Sequence, residues 1–536
     1  MAATPAPVLI AGGGPVGITA GLLLARFGVP SVVLEAQPVH APVGSRAICM
    51  QRDALDVLAR VGCAAPIVAE GVTWTLGRTY YRETELLQIT FPETGRSAFP
   101  PFVNIPQSST ERRLWARAAD EPLVALRTGH RVVGLEQDDA GVTVRVSTAG
   151  GIEDVSGSHL LACDGARSTV RKLLGLGFEG HSYDDQFLIA DIRTDLGFAA
   201  ERRFFFDPAW NPGRQVLVHP QPDSVWRIDW QVPGDFDLER ERASGALDQR
   251  VRAVVGDRPY EVVWVSAYRF HQRLAPTFRA GRVLLAGDAA HLMSPFGARG
   301  LNSGIHDAEN AAWKLAFVRR GWAGGALLAS YDTERRAAAR ENLRVTGETM
   351  RFLVPRDAEE ARRRRAVLER ALTDPAARRA VDSGRLAEPF WYLDSPLTTP
   401  WGDPDAFPRE PGVARPVVPG VLCPDGPCAV PARPDVVRLR QLFGSGLVVL
   451  ATTTADVADL EAAGRAAVRA PVDVYALDAI DQLGGLASAL ETGQRTAYVV
   501  RPDGHLAARL DGPDPRALTL SLRRAVGGPG GLPDGP

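Results

Sequence analysis

Val8-Leu9-Ile10-Ala11-Gly12-Gly13-Gly14-Pro15-Val16-Gly17 decides how this chain is read. Four apolar residues, a glycine turn and a following apolar run make a buried strand that feeds a helix. Gly12, Gly14 and Gly17 have the G-x-G-x-x-G spacing. The first glycine permits the tight turn, the second lets a diphosphate approach the backbone, and the third lets the helix pack on the strand. Gly21, one helical turn beyond Gly17, extends that close packing. The helix start then offers free N–H groups and positive dipole to a diphosphate. A second strand, Ser31–Leu34, ends in Glu35, where an acidic residue binds a ribose hydroxyl pair. A glycine-rich turn in an ordinary α/β unit is the competing reading, and the strand after the helix and its terminal acid favour dinucleotide binding over it.

The chain has 536 residues, enough for two or three domains with a large core. Lys+Arg of 61 against Asp+Glu of 63 leaves a net charge of -2, which argues against nucleic acid and anionic membrane surfaces as partners. Almost every basic residue is Arg; Lys172 and Lys314 are the only lysines. Cys49, Cys63, Cys163, Cys423 and Cys428 form no disulfide framework, so a cytoplasmic location is expected. No Cys/His cluster has zinc spacing, and no metal site is expected. The uncharged stretch Ala2–Ala25 has a Gly-Gly-Gly-Pro interruption and no basic flank, which argues against a membrane span or signal peptide.

Farther along, Ala54, Leu55, Leu58 and Val61 have core-facing helical spacing, which predicts a helix over 46–62. Residues 71–105 carry strand-like runs. A helix is expected around Ser109–Ala119 with Thr110 as its cap. Further strands are expected near 130–134, 142–147 and 159–163. From 178 to 275 aromatic and β-branched residues dominate, and Val216–His219 and Trp226–Trp230 flank a turn as a hairpin. These features suggest an antiparallel sheet inserted in the α/β unit. Val283–Ala286 is a buried strand, and helices are expected over Leu301–Val318 and 356–383. The Arg362–Arg365 run sits among acids and reads as a solvated helix face. Residues 395–435 are rich in Pro and Gly. A small α/β unit follows, with strands at Leu447–Leu450, Val472–Ala476 and Tyr498–Arg501 and a helix near 456–468.

Three motifs coincide: Gly12-x-Gly14-x-x-Gly17 with Glu35, Cys163-Asp164-Gly165-Ala166-Arg167-Ser168, and Gly287-Asp288-Ala289-Ala290-His291. Together they resemble the single-component FAD aromatic hydroxylases of the para-hydroxybenzoate hydroxylase class, which includes phenol, hydroxyphenylpropionate and polyketide-tailoring hydroxylases. The resemblance implies an α/β fold: a Rossmann-like FAD-binding domain over 1–177 and 276–394, an inserted antiparallel β-sheet substrate domain over 178–275, a linker over 395–435, a small C-terminal thioredoxin-like α/β domain over 436–525 and a flexible tail over 526–536. It implies FAD, with NADPH or NADH as reductant, and a reaction in which O2 adds to the reduced flavin to give a hydroperoxide that hydroxylates a phenolic or polyketide-type aromatic substrate. Epoxidation or Baeyer–Villiger insertion by the same hydroperoxide, and an FAD-dependent dehydrogenase without oxygen insertion, remain open at this level. Homo-oligomerisation, as a dimer or larger, is also expected.

The cofactor-binding residues implied are Gly12, Gly14, Pro15, Gly17, Glu35, Arg46 at the start of its helix, Gln107, Asp164, Arg167, Asp288, and Gly300, Leu301 and Asn302. Asp288, at a strand end, suits the ribityl hydroxyls. The helix start at Gly300 can aim N–H groups at the flavin ring and stabilise its reduced, anionic form. The family's Pro-x-Gly-Gly-Gln-Gly turn appears here as Pro295-Phe296-Gly297-Ala298-Arg299-Gly300. Arg299 either places a fixed charge near the ring or substrate or turns to solvent. Tyr268 and His219 are catalytic candidates beside Arg299, and His271 is a further candidate; each also reads as an ordinary core or edge residue. His291 reads as structural beside FAD. Trp210, Trp226, Trp230 and Trp264 suggest aromatic lining. Cys423 and Cys428, four residues apart, lack a C-x-x-C spacing, so no redox role is expected for them.

Overall fold

The computed structural model describes residues 6–41, 46–91, 97–410, 413 and 415–528. Its centre is a six-stranded sheet in the order 279–280, 283–285, 159–162, 8–11, 31–34, 124–127. All neighbours are parallel except the edge pair 279–280 and 283–285. Val8–Ala11 sits between 31–34 and 159–162 and is wholly buried, as expected for a strand covered on both faces. Helix Pro15–Arg26 buries ten of its twelve residues, from Pro15 to Ala25 with only Val16 left out of that run. Its Val16 meets the second long helix, Arg299–Arg319: a Cβ on Gly304 would stand 2.6 Å from Val16 Cγ2.

The second large sheet has eight strands, in the order 291–292, 261–274, 179–193, 225–232, 215–220, 202–206, 76–81, 84–90. The hairpin expected from sequence is present, with Val216 opposite Trp230 and Val218 opposite Ile228. The expectation of an antiparallel sheet confined to 178–275 needs correction. Strand 202–206 pairs in parallel with 76–81, so the sheet is mixed and recruits two strands from the preceding segment. Strand alternation gives it two faces. Leu188, Ala190, Val216, Val218, Trp226, Ile228 and Trp230 pack on the outer face with Leu247, Val251 and Val255 of helix Ala246–Val255. Phe187, Ile189, Phe204, Phe206, Leu217 and Phe270 pack on the inner face, with Phe296 and Met350.

Four local expectations change. Cys49–Gln51 is a strand, paired with Phe102–Asn104, and the helix runs only over Arg52–Ala59. Sheet pairing outcompetes helical propensity there. Helix Gln107–Ala119 begins directly after Pro106, so Thr110 is a buried residue of its first turn and not its cap. The helix expected over 356–383 spans Ala358–Thr373, capped by Asp357, followed by a short turn at Ala377–Ala380. Val526 is 1% exposed and packs with Gly527 at the end of helix Pro515–Ala525; of the expected tail, residues 529–536 lie outside the described residues.

Residues 390–410 and 415–435 run along the C-terminal unit. The backbone amides of Thr399, Gly420 and Cys423 donate to the carbonyls of Ala507, Leu506 and Gly504. That unit is a four-stranded sheet in the order 472–476, 447–451, 496–500, 506–511, with helices Val457–Ala467 and Pro515–Ala525. Among the described residues, no helix is long and apolar enough to cross a membrane and no group of side chains could hold a metal ion.

Candidate active site

Gly12 has φ +103°, and a Cβ there would stand 2.4 Å from the Cys163 carbonyl oxygen. A Cβ on Gly17 would stand 2.1 Å from the Gly12 carbonyl oxygen. These two glycines are therefore required by packing. At Gly14 a Cβ would meet nothing within 4 Å. Gly14 begins helix Pro15–Arg26, no side chain caps that end, and Pro15 occupies its first turn. The second glycine of the fingerprint thus faces open space at an uncapped helix start, as a diphosphate cradle requires. Glu35 Oε2 accepts from the Gly13 amide at 2.8 Å and Oε1 from the Gln37 amide at 2.8 Å. Each oxygen keeps a further lone pair for a ribose hydroxyl. Trp115, which sequence reasoning missed, donates from Nε1 to the Gly13 carbonyl at 2.8 Å and stacks on His40.

Arg46 does not open a helix. It is exposed, and its carbonyl accepts from Arg227 Nη1 at 3.0 Å. Gln107 Oε1 accepts from the Ala47 amide at 3.1 Å, and the Gln107 amide donates to the Ala47 carbonyl at 3.0 Å. Gln107 thus clips the Arg46 segment in place. Asp164 is engaged within its own turn: Oδ1 accepts from Ser168 Oγ at 2.5 Å, and Oδ2 from the amides of Thr169 and Val170 at 2.7 and 3.0 Å. Arg167 is exposed. Arg171, also missed, is buried and donates to the Ala289 carbonyl at 2.9 Å, tying the second motif to the third.

Gly287 (φ +59°) turns the chain out of strand 283–285. Asp307 holds this turn, accepting from the Gly287 amide at 2.9 Å, from His291 at 2.6 Å and from Arg335 Nε at 2.6 Å. Burial disfavours the Asp307 charge, but Arg335 and His291 outweigh it and hold the carboxyl well below the usual range. His291 is therefore structural. Asp288 lies in this turn at the strand end. It is accessible to water yet flanked by protein, and this burial raises its carboxyl pKa, opposed by His291 and Arg46.

Gly297 (φ +89°) and Ala298 (φ +56°) are both left-handed, and Ala298 begins helix Arg299–Arg319 without a side-chain cap. Non-glycine residues adopt this conformation at a cost, so the turn is constrained. As at Gly14, a Cβ on Gly300 would meet nothing within 4 Å. Leu301 is half-buried against the main core. The Asn302 side chain faces inward, accepting from the Gln51 amide at 3.0 Å and donating to the Cys49 and Ala298 carbonyls at 2.9 and 2.6 Å. Arg299 does not turn to solvent: it is 6% exposed and donates to Asn342 at 2.5 Å and to the Arg385 and Leu386 carbonyls at 3.2 Å. Burial lowers its pKa to about 10.

The inner face of the large sheet carries the remaining candidates. Tyr268 stands opposite Phe187 and packs edge-on to Phe270. Burial pushes its phenol up to about 12, with Arg227, Asp229, Arg46 and Asp288 close enough to contribute. That couples the sheet to the Arg46 and Asp288 motifs. His219 lies on the same face; burial, Arg202 and Arg227 hold it well below its usual pKa, so it is neutral. Trp264 is on this face, whereas Trp226 and Trp230 pack on the other and Trp210 packs against that outer cluster, which removes these three as lining. His271 pairs with Ser182 Oγ at 2.7 Å. Asp229, also on the inner face, was missed. Its signal was available: Arg227 and Asp229 alternate within the otherwise apolar strand Val225–Val232.

The FAD binding domain family matches residues 5–346. The 3-(3-hydroxy-phenyl)propionate/3-hydroxycinnamic acid hydroxylase of Mycobacterium sp. (strain JLS) is 30% identical over 456 residues, covering 83% of this chain and 76% of that one. The crystal structure of the flavin-dependent monooxygenase PieE in complex with FAD and substrate superposes with a TM-score of 0.83 at 25% identity, covering 98% of this chain and 99% of that one. Aklavinone-11 hydroxylase, in a ternary complex with FAD and aklavinone, superposes with a TM-score of 0.77 at 25% identity, covering 98% and 100%. With its two open helix starts and its three motifs following neighbouring parallel strands of one sheet, the chain belongs to the FAD binding domain family, as a flavin-dependent monooxygenase.

Proposed function

We propose that this protein hydroxylates a phenolic or polyketide-type aromatic ring, with FAD as bound cofactor, NAD(P)H as reductant and O2 as oxygen source. The observation that carries the reading is the pair of uncapped helix starts at Gly14 and Gly300, both open where a Cβ would stand. Val16 links them, lying against Gly287 and Gly304. A long, anionic, hydroxyl-bearing cofactor would use both starts and the carboxylate between them. In this reading Gly12, Gly14, Pro15 and Gly17 hold its diphosphate, Glu35 its ribose, and Asp288 the ribityl hydroxyls. Arg46 and Gln107 flank it, Asp164 and Arg167 serve FAD and NAD(P)H, and the amides at Gly300, Leu301 and Asn302 face the ring.

When held by these residues, FAD would supply the redox chemistry between NAD(P)H and O2. The chain supplies position and environment. Phe187, Phe204, Phe270 and Phe296 make an apolar wall that excludes water from the reacting groups. Tyr268, protonated at neutral pH, donates a hydrogen bond to a substrate oxygen. Neutral His219 lines the polar end of the pocket. Arg299 acts as a positioning residue, bracing the turn at 295–300 against the Arg385–Leu386 backbone. The substrates named for the relatives, a hydroxyphenylpropionate and aklavinone, support an aromatic substrate.

The strand order of the C-terminal sheet, with a helix after its first and last strands, supports a thioredoxin-like unit, in a structural role. Cys423 and Cys428 are both free thiols. The test is stopped-flow reduction of the flavin by NADPH and NADH without oxygen, with and without 3-(3-hydroxyphenyl)propionate, aklavinone and simple phenols, followed by turnover with isotopically labelled O2. Ligand-accelerated reduction and one labelled oxygen in the product are expected. Fast reduction regardless of ligand, with no label incorporated, would instead identify a dehydrogenase.

A further inference from the structure

Strand alternation places Asp191, Arg202, His219, Arg227 and Asp229 on the same sheet face as Trp264 and Tyr268. Arg227 commits its guanidinium to Asp191: Nε and Nη2 donate to the two carboxylate oxygens at 2.8 and 2.9 Å, and Gln221 Nε2 adds a third bond at 2.8 Å. Asp229, two residues along, is outside that pair. Its Oδ1 is buried without a hydrogen-bond partner, as is Nδ1 of His219, which stands opposite Arg227 on the neighbouring strand. A buried carboxylate oxygen left unpaired is costly, and a hydroxyl brought in by a ligand would satisfy it.

Resting on the hydroxylase reading above, we propose that Asp229 accepts the hydroxyl proton of a phenolic substrate lying across this face between His219, Trp264 and Tyr268. The phenol O–H bond breaks, its electron pair stays on the oxygen, and the proton bonds to Asp229 Oδ1. The step leaves a neutral carboxyl and a phenolate beside the cations of Arg202 and Arg227. The phenolate pushes electron density into the ring, which is what oxygen transfer to a ring carbon requires.

The neighbouring groups leave this role to Asp229. Tyr268 at about 12 keeps its own proton near neutrality. His219 is too weak a base. For Asp229, burial raises the carboxyl, Arg227 lowers it, Asp191 raises it and Arg202 lowers it, for a balance of about 7. A proton acceptor works best when its pKa lies near the operating pH. Around this group, Arg46 and Asp288 bear on Tyr268, and Cys49 and Asp382 bear on Arg202.

The test compares FAD-loaded wild type with Asp229→Asn and Asp229→Glu, using FAD content as the check on folding. Difference infrared spectra of wild type against Asp229→Asn should contain a protonated-carboxyl band that titrates between about pH 6 and 8. Across the same phenol panel, labelled product from Asp229→Asn should fall by about a hundredfold or more and lose the acid limb of the wild-type pH profile, with partial recovery in Asp229→Glu. A missing carboxyl band, or a wild-type rate and limb in Asp229→Asn, overturns the assignment. If wild type itself forms no labelled product from any phenol, the hydroxylase reading falls and takes this role with it. Labelled product from wild type with an unchanged Asp229→Asn profile removes Asp229 alone.

Discussion

Single side chains in this protein are set by what they face. Asp288 is exposed at a strand end and Asp307, nineteen residues along, is buried in the core, and they carry opposite pKa shifts. Asp288→Ala should purify depleted in FAD, read from the ratio of flavin to protein absorbance, with secondary structure retained; full occupancy would dismiss Asp288 as a ligand. His306 shows a different balance. Burial opposes its charge, but hydrogen bonds to Asp53 and Glu309 outweigh this and raise it to about 9 from 6.5. A histidine raised on folding stabilises fully below its unfolded pKa, and that contribution is lost as pH climbs through the folded value. The gap in denaturation midpoint between wild type and His306→Gln should therefore be widest below about pH 6.5 and close toward pH 9. A gap independent of pH would show that His306 acts by packing alone.

At the level of elements, the glycines separate into two kinds by the space around them. Gly12 and Gly17 have no room for a Cβ, because backbone atoms stand 2.4 and 2.1 Å from where it would be. Gly14 and Gly300 have nothing within 4 Å. Gly17→Ala should force the first helix off its strand and give little soluble, folded protein. Gly14→Ala and Gly300→Ala should fold with near-wild-type melting but bind FAD several-fold more weakly, measured by flavin fluorescence on titration of the apoprotein. Wild-type affinity in both would mean that neither helix start meets the cofactor. The same two-fold division governs the large sheet. Alternate residues of Val225–Val232 go to a helix-covered face or to the pocket face, which is how one strand supplies both core tryptophans and Asp229.

Across the whole molecule, a buried ionic network joins the C-terminal unit to the long helices. Glu334 receives Lys314 at 2.6 Å, Asn310 at 2.8 Å and Ser395 at 2.5 Å, and it pairs with Arg501, which also pairs with Asp503. Trp313 Nε1 donates to the same Asp503 at 3.2 Å. Lys314 and Glu334 are fully buried, and one of the chain's two lysines is used here. Removing one member of such a cluster strands the others without compensation, typically at about 3–5 kcal/mol. Arg501→Ala should lower the melting temperature and open the segments 390–410 and 415–435 to limited proteolysis before the FAD-binding core. Pairing Arg501→Met with Glu334→Leu should recover part of the loss, because both buried charges then go. Equal protease resistance in wild type and Arg501→Ala would mean the network does not hold the units together.

Sequence alone determined the parts of this protein built from contiguous chain. The first βα unit, the fingerprint glycines, Glu35, the 216–230 hairpin and the strand-and-turn positions of Asp164 and Asp288 follow from local periodicity and turn chemistry, which act over a few residues. The family motifs carried FAD with them. Tertiary structure decided what depends on distant partners. Strand 49–51 forms because Phe102–Asn104 pairs with it and Asn302, some 250 residues away, satisfies its backbone. Arg299 turns inward because carbonyls at 385 and 386 meet it. Trp226 and Trp230 leave the pocket because sheet register puts them under a helix, and Asp229 enters it by the same register. Burial and electrostatic neighbours are properties of the assembled interior, so the alternation in Val225–Val232 could mark Asp229 as set apart from its apolar strand, but no local pattern could give the opposite pKa shifts of His219 and Asp229.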